Sequence, residues 1–166
     1  MLTVSVVIPV YRAALTLREL YGQLTITIPE IAPTFEIIFV EDCGGDESWS
    51  IITELAAADQ RVHGIRMTRD DGHHNALLCG IRAARYDVIV TMDDDLQHRV
   101  SEIALLFAAP GPDVDVVYGA AQNEQHGFLR DAAFCPTTPS STSLTSSLCG
   151  SFPTRWVSLS RSFRAA

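Results

Sequence analysis

The sequence predicts an α/β fold: a mostly parallel sheet with helices on both faces. Three observations carry this. Short apolar runs alternate with stretches of helical periodicity along residues 1–131. The runs are apolar at nearly every position rather than every second one, as in strands buried on both faces. A chain of 166 residues suffices for one domain with its own core, and is short for two.

The elements follow in order. TVSVVIP (3–9) is a β-branched run closed by Pro9, and predicts the first strand. Leu15, Leu17, Leu20, Tyr21 and Leu24 then recur at near-helical spacing. FEIIFV (35–40) predicts a second strand, broken by Cys43-Gly44-Gly45; residues 48–58 carry Ile51, Ile52 and Leu55 on one helical face. A short third strand is expected over 62–67 and a helix over about 72–85. DVIVTM (87–92) predicts a fourth strand, a helix starts near Ser101 with Glu102 in its first turn, and VDVVY (114–118) ends the series. Strand–helix alternation of this kind gives parallel strands, and ligands then bind beyond their carboxyl ends.

Composition splits the chain. All 20 acidic residues lie at or before Asp131, whereas 132–166 carries only Arg155, Arg161 and Arg164 among Ser, Thr and Pro. The expected organisation is a folded domain over 1–131 and a disordered tail over 132–166. The net charge of −8 argues against nucleic acid as a partner, which needs a basic face. Lysine is absent, which removes a GxxxxGK[ST] phosphate loop and any Schiff-base chemistry. Cys43, Cys79, Cys135 and Cys149 show no CxxC spacing, so neither zinc nor a disulfide framework is expected. The start MLTVSVVIPVYR lacks a positive n-region and a cleavage site, and no apolar run reaches about eighteen residues. A reduced, cytoplasmic protein is the expectation.

Three segments at strand ends carry chemistry. In VTMDDDLQH (90–98) three carboxylates follow an apolar strand. Strand alternation would put Asp93 and Asp95 on one side and Asp94 on the other. Close carboxylates repel, and a hard divalent cation relieves them; the competing reading is a solvated acidic turn. In FVEDCGGDES (39–48), Asp46 or Ser48 suits a helix cap, while Glu41 and Asp42 are free to accept hydrogen bonds from a ribose or a base. In TRDDGHHNALLCG (68–80), Gly72 suits a backbone that turns sharply or meets a ligand. His73 and His74 point about 100° apart on a helix, so they do not chelate one ion together, and an exposed polar first turn is the plainer reading.

Five segments, SVVIPVY (5–11), FEIIFVEDCGGDES (35–48), RDDGHHNALLCGI (69–81), DVIVTMDDDLQH (87–98) and VDVVYG (114–119), resemble family 2 glycosyltransferases in order and spacing. Within that family they resemble the dolichyl-phosphate-mannose-synthase-like branch, which loads sugars onto polyprenyl phosphates. The resemblance implies a GT-A fold, a UDP- or GDP-linked nucleotide-sugar donor, a lipid-phosphate or other cell-envelope acceptor, and Mg²⁺ or Mn²⁺ as cofactor. It places Pro9, Tyr11, Asp42 and Gly72 at the donor, gives Asp93 and Asp95 the metal with help from Gln97, and sets Asp94 beside the donor, with Asp93 also counted among the donor-binding residues. The family inverts the anomeric centre by in-line attack. A phosphate acceptor is already anionic, so no general base is assigned.

The sequence also departs from the family. Arg12-Ala13 stands where Asn-Glu is usual after Tyr11, and Arg69-Asp70 where Arg-Asn is usual. Ala120, Ala121 and Gln122 occupy the place of a phosphate-neutralising Arg, for which Arg130 is a candidate substitute. Beyond about 130 the family continues with amphipathic helices that meet the membrane surface. The Ser/Thr/Pro-rich stretch here suggests a frameshift or truncation. A non-catalytic remnant that binds only nucleotide and metal is therefore the competing expectation, with peripheral membrane contact and a homo-oligomer covering a cut sheet edge as further ones. A nucleotidyltransferase is disfavoured because PVYRAAL stands where a Gly-rich, Arg/Lys-bearing loop would be needed.

Overall fold

The computed structural model describes residues 2–108, 116–119 and 157–161. They form strands β1 (Thr3–Val10), β2 (Thr34–Glu41), β3 (Val62–Arg66), β4 (Val88–Thr91), β5 (Val116–Gly119) and β6 (Val157–Arg161). The helices are α1 (Leu17–Ile31), α2 (Ser48–Ala58), α3 (His73–Ala83) and α4 (Ile103–Ala108), the last preceded by a 3₁₀ turn over Val100–Glu102. One sheet holds all six strands in the order β3-β2-β1-β4-β6-β5. β3, β2, β1 and β4 run parallel, while β6 is antiparallel to both β4 and β5. The predicted α/β architecture, with a mostly parallel sheet, is the observed one.

Strand alternation divides the core. Val4, Val6, Ile8 and Val10 of β1, with Phe35, Ile37 and Phe39 of β2, pack in one cluster with Leu17, Leu20, Leu24 and Ile28 of α1, Ile52 of α2 and Ile103 of α4. Val7, Ile38, Val40 and Ile89 pack on the other face with Ala76 of α3. These side chains are essentially fully buried, which is why the strands read as continuous apolar runs. Leu15, counted with the α1 periodicity in the sequence, lies before the helix and is 98% exposed.

The α3 face also buries a polar anchor far from the carboxyl ends of the strands. Ser5 and Glu36 stand opposite each other in the β1–β2 register. Ser5 Oγ donates to Glu36 Oε1 at 2.6 Å, the Arg85 backbone N–H donates to the same oxygen, and Arg85 Nε donates to Oε2, both at 2.7 Å. Burial alone would raise the Glu36 carboxyl, but these bonds and the Arg85 charge outweigh it and hold it below the usual carboxylate range. Beside α2, the Arg61 guanidinium holds Asp59 down to about 2, against the opposing effect of burial. A depressed folded pKa contributes stability above the unfolded value, near 4 for both groups, and loses it as pH falls through the folded value. The contribution of these two groups is therefore expected to be flat from neutral pH to about 5 and to fall steeply below 4. Glu36→Gln should flatten that acid limb in urea melts taken across pH; an unchanged limb would refute the anchor.

The expected tail, 132–166, contains β6. Val157–Arg161 pairs with both β4 and β5, so disorder does not hold there. The pattern VSLSR alternates apolar and Ser at period two, a strand signal masked by the Ser/Thr richness around it. The rest of that segment, the boundary at 131 and Arg130 lie outside the described residues.

Candidate functional site

The carboxyl ends of β1, β2 and β4 meet where the fold class places ligands. β1 leads into Tyr11 and then Arg12, which adopts a positive φ of 55°. Asp42 follows β2, and its N–H donates to the Val10 carbonyl at 2.9 Å. Ala13 N–H donates to the buried Ser48 Oγ at 3.0 Å, Ala14 N–H donates to Asp46 Oδ2 at 3.2 Å, and Arg12 Nε donates to the Gly44 carbonyl at 3.0 Å. A Cβ on Gly44 would stand 2.8 Å from the Arg12 backbone nitrogen, so only glycine permits this approach. The two loops are thereby stitched into one floor.

The acidic turn after β2 sorts its residues. Asp46 accepts the Ser48 backbone N–H at 3.1 Å and the Ser48 hydroxyl at 2.9 Å, closing the start of α2. Burial raises its carboxyl, but these bonds and Ala14 outweigh burial and hold it low. Glu41 is spent on structure: Oε1 accepts the Gly44 N–H at 2.7 Å and Oε2 pairs with Arg66 Nε at 3.1 Å. Of the two carboxylates open to a nucleoside in the sequence, Asp42 is therefore the available one. It is 3% exposed, and Oδ1 accepts the Asp71 N–H at 3.0 Å, which ties the loop before α3 to the floor.

A cavity of about 360 Å³ opens over this floor, lined by Pro9, Val10, Tyr11, Asp42 and Asp94. Its other wall is Asp70, Gly72 and His73. Gly72 has φ 88°, a conformation costly to residues with a Cβ, and it starts α3 at the cavity. Five of the six sequence-predicted donor residues, Pro9, Tyr11, Asp42, Gly72 and Asp94, come together here, while the sixth, Asp93, does not line the cavity. The sequence reading missed His73 as a lining residue, and Asp70 as one too. That two adjacent histidines cannot share an ion says nothing about one of them reaching another element.

The Asp93-Asp94-Asp95 cluster does not continue strand alternation. β4 ends at Thr91, Met92 N–H still donates to the Val7 carbonyl at 3.2 Å, and the chain then bends at 94–96 with Leu96 at φ 59°. Asp95 Oδ1 accepts the Gln97 N–H at 3.0 Å, an Asx-type turn. The bend sends Asp94 into the cavity, where Oδ2 accepts the Tyr11 N–H at 3.0 Å. Burial raises the Asp94 carboxyl, and the charges of Asp95 and Asp93 raise it further against the Tyr11 bond. Asp93 lies on the α3 side, its Oδ1 3.5 Å from His73 Nε2. Asp93, Asp95 and Gln97 are not lining residues of the cavity.

So many carboxylates beside one cavity would repel a diphosphate unless a cation intervened. The donor set is hard oxygen, which fits Mg²⁺ or Mn²⁺. Among the described residues no three His, Cys, Asp or Glu side chains are grouped to hold an ion. A metal held by one or two carboxylates would draw the rest of its shell from phosphate and water.

Comparison with known proteins gives the family and the fold. The sequence model of glycosyl transferase family 2 matches residues 5–133. The undecaprenyl-phosphate 4-deoxy-4-formamido-L-arabinose transferase of Aeromonas hydrophila is 33% identical over 131 residues, which is 78% of this chain and 40% of that protein. The chain thus spans well under half the length of that relative. Mannosyl-3-phosphoglycerate synthase from Rubrobacter xylanophilus shares the fold at TM-score 0.56 and 19% identity, over 69% of this chain and 39% of that one. The mannosyltransferase PcManGT from Pyrobaculum calidifontis, in complex with GDP-Man and Mn²⁺, does so at TM-score 0.51 and 20% identity, over 68% and 34%. The fold is the GT-A fold that the resemblance implied.

Proposed function

The chain belongs to glycosyl transferase family 2, and from that premise we propose that it binds a UDP- or GDP-sugar for inverting, metal-dependent transfer to a polyprenyl phosphate or a related cell-envelope acceptor. One observation carries the reading: the cavity at the ends of β1 and β2 gathers Pro9, Tyr11, Asp42, Gly72 and Asp94. Tyr11 offers an aromatic wall to the nucleoside, and Asp42, held by the Asp71 N–H, offers a fixed acceptor to a ribose hydroxyl or a base N–H. Asp93 and Asp95, with Gln97, would hold Mg²⁺ or Mn²⁺, which when bound supplies Lewis-acid stabilisation of the charge on the departing nucleoside diphosphate. The acceptor phosphate is its own nucleophile, so no side chain of this chain is assigned as a base.

With a lipid acceptor, the chain would work at a membrane surface, on this reading by peripheral contact at its cytoplasmic face. The test is transfer of label from radiolabelled UDP- and GDP-sugars into a membrane lipid extract, with Mn²⁺ and with EDTA. Metal-dependent label in the lipid phase is expected. Nucleotide binding without transfer would overturn the enzymatic reading and leave a chain that only holds donor and metal.

A further inference from the structure

Within the cavity wall, His73 is the one lining residue that offers an imidazole; the ionisable others are Tyr11 and three carboxylates. It opens α3 immediately after Gly72, and its side chain is 48% exposed. A structural histidine is ordinarily buried with its nitrogens bonded, whereas this side chain is half open and the residue lines the cavity. The His74 ring stands edge-on to it at 79°, with centroids 5.8 Å apart. Across the gap, Nε2 is 3.5 Å from Oδ1 of Asp93, a carboxylate only 14% exposed. That separation exceeds the roughly 2.7–3.2 Å of a good N–H···O bond. It is close to the spacing of two neighbouring ligands on one ion, which at bond lengths of about 2.1 Å stand about 3 Å apart.

We propose that His73 Nε2 is a ligand, together with Asp93, of the divalent cation that accompanies the donor. The proposal rests on the donor-site reading above and adds a nitrogen to an otherwise oxygen donor set. A nitrogen ligand disfavours Mg²⁺, which holds to oxygen and water, relative to a first-row transition ion. The site therefore selects Mn²⁺ or Co²⁺ over Mg²⁺ when the donor is bound. His73 and Asp93 come from α3 and from the turn after β4, so the ion would also tie the two loops around the cavity.

The test is pulsed electron paramagnetic resonance on the full chain, labelled with ¹⁵N-histidine and loaded with Mn²⁺ and unlabelled UDP, with GDP as a second probe. A ¹⁵N coupling to Mn²⁺ is expected, lost in His73→Ala and His73→Gln and kept in His74→Ala. Mn²⁺ affinity should fall about tenfold in the His73 variants while Mg²⁺ affinity changes little, so their ratio reads out the nitrogen directly. Equal thermal melts of the metal-free variants keep a folding defect apart from a lost ligand. Bound Mn²⁺ that shows no histidine nitrogen but is displaced by Asp93→Ala/Asp95→Ala would overturn the proposal and leave the donor site standing. No Mn²⁺ binding with either nucleotide would overturn both.

Discussion

Alanine at both Asp93 and Asp95 is expected to erase the thermal stabilisation that Mn²⁺ with UDP or GDP gives the unaltered chain. A ligand at about 100 times its dissociation constant stabilises the folded state by roughly 2.7 kcal/mol. For a chain of this size that raises Tm by several degrees, at roughly 2–4 °C per kcal/mol. The metal-free melt should change little, because relief of the repulsion on Asp94, whose carboxyl the two charges help raise, offsets the loss of the Asp95 turn bond to the Gln97 N–H. The expected signature is therefore a lost ligand shift on an unshifted baseline. Asp94→Asn is a useful companion, since its amide oxygen can still accept the Tyr11 N–H that Asp94 Oδ2 takes at 3.0 Å. Scanning fluorimetry with and without metal and nucleotide checks all three chains. An equal shift in the double variant would remove Asp93 and Asp95 from the metal.

The sequence made the scaffold legible for a physical reason. β1 and β2 are buried on both faces, so nearly every position is apolar and the runs stand out. Helices α1 and α2 bury one stripe each, and the stripe has helical period. Site residues at strand ends were legible because the fold class itself places ligands there. What stayed hidden depends on contacts between elements. Nothing in the pattern marks Glu41 as spent on Gly44 and Arg66, or Asp42 as the carboxylate left for a ligand; the distinction lies in one bond within the turn and in bonds to the distant Arg66 and Asp71. The bend at 94–96 breaks the alternation that would have separated Asp94 from its neighbours, and Leu96 carries no turn signature that announces its φ of 59°. β6 was hidden by its setting, because Ser158 and Ser160 read as part of a Ser-rich stretch when they alternate with Val157 and Leu159. Ser5 and Glu36 read as polar interruptions of apolar strands, and only the register that sets them opposite each other turns them into an anchor.

Valine at Gly80 is expected to damage the fold and the site together. Gly80 lies buried in α3 over the sheet, and a Cβ there would come within 2.3 Å of Val7 Cγ1 and 3.0 Å of Val40 Cγ2. Both neighbours are β-branched and stiff at χ1, and both sit in the packed cluster under α3, so neither rotates away cheaply. Gly80→Ala would gain about 1 kcal/mol of helix propensity against an overpacking cost of about 1–3 kcal/mol, a modest net loss. Gly80→Val forgoes much of that propensity gain and adds two methyl groups to the clash, so its loss should reach the top of the overpacking range or exceed it. The relief available is for α3 to lift from the sheet. Val7 is two residues before Pro9, Val40 is two before Asp42, and α3 itself begins at Gly72 and His73 on the cavity wall. Lifting α3 therefore widens the donor cavity from the helix side while the β1–β2 floor stays stitched by Asp42, Ser48 and Asp46. Urea melts of Gly80→Ala and Gly80→Val should show graded destabilisation, with nucleotide affinity falling in the same order. A Gly80→Val chain as stable as the original would mean that α3 does not bear on Val7 and Val40 as closely as the packing requires.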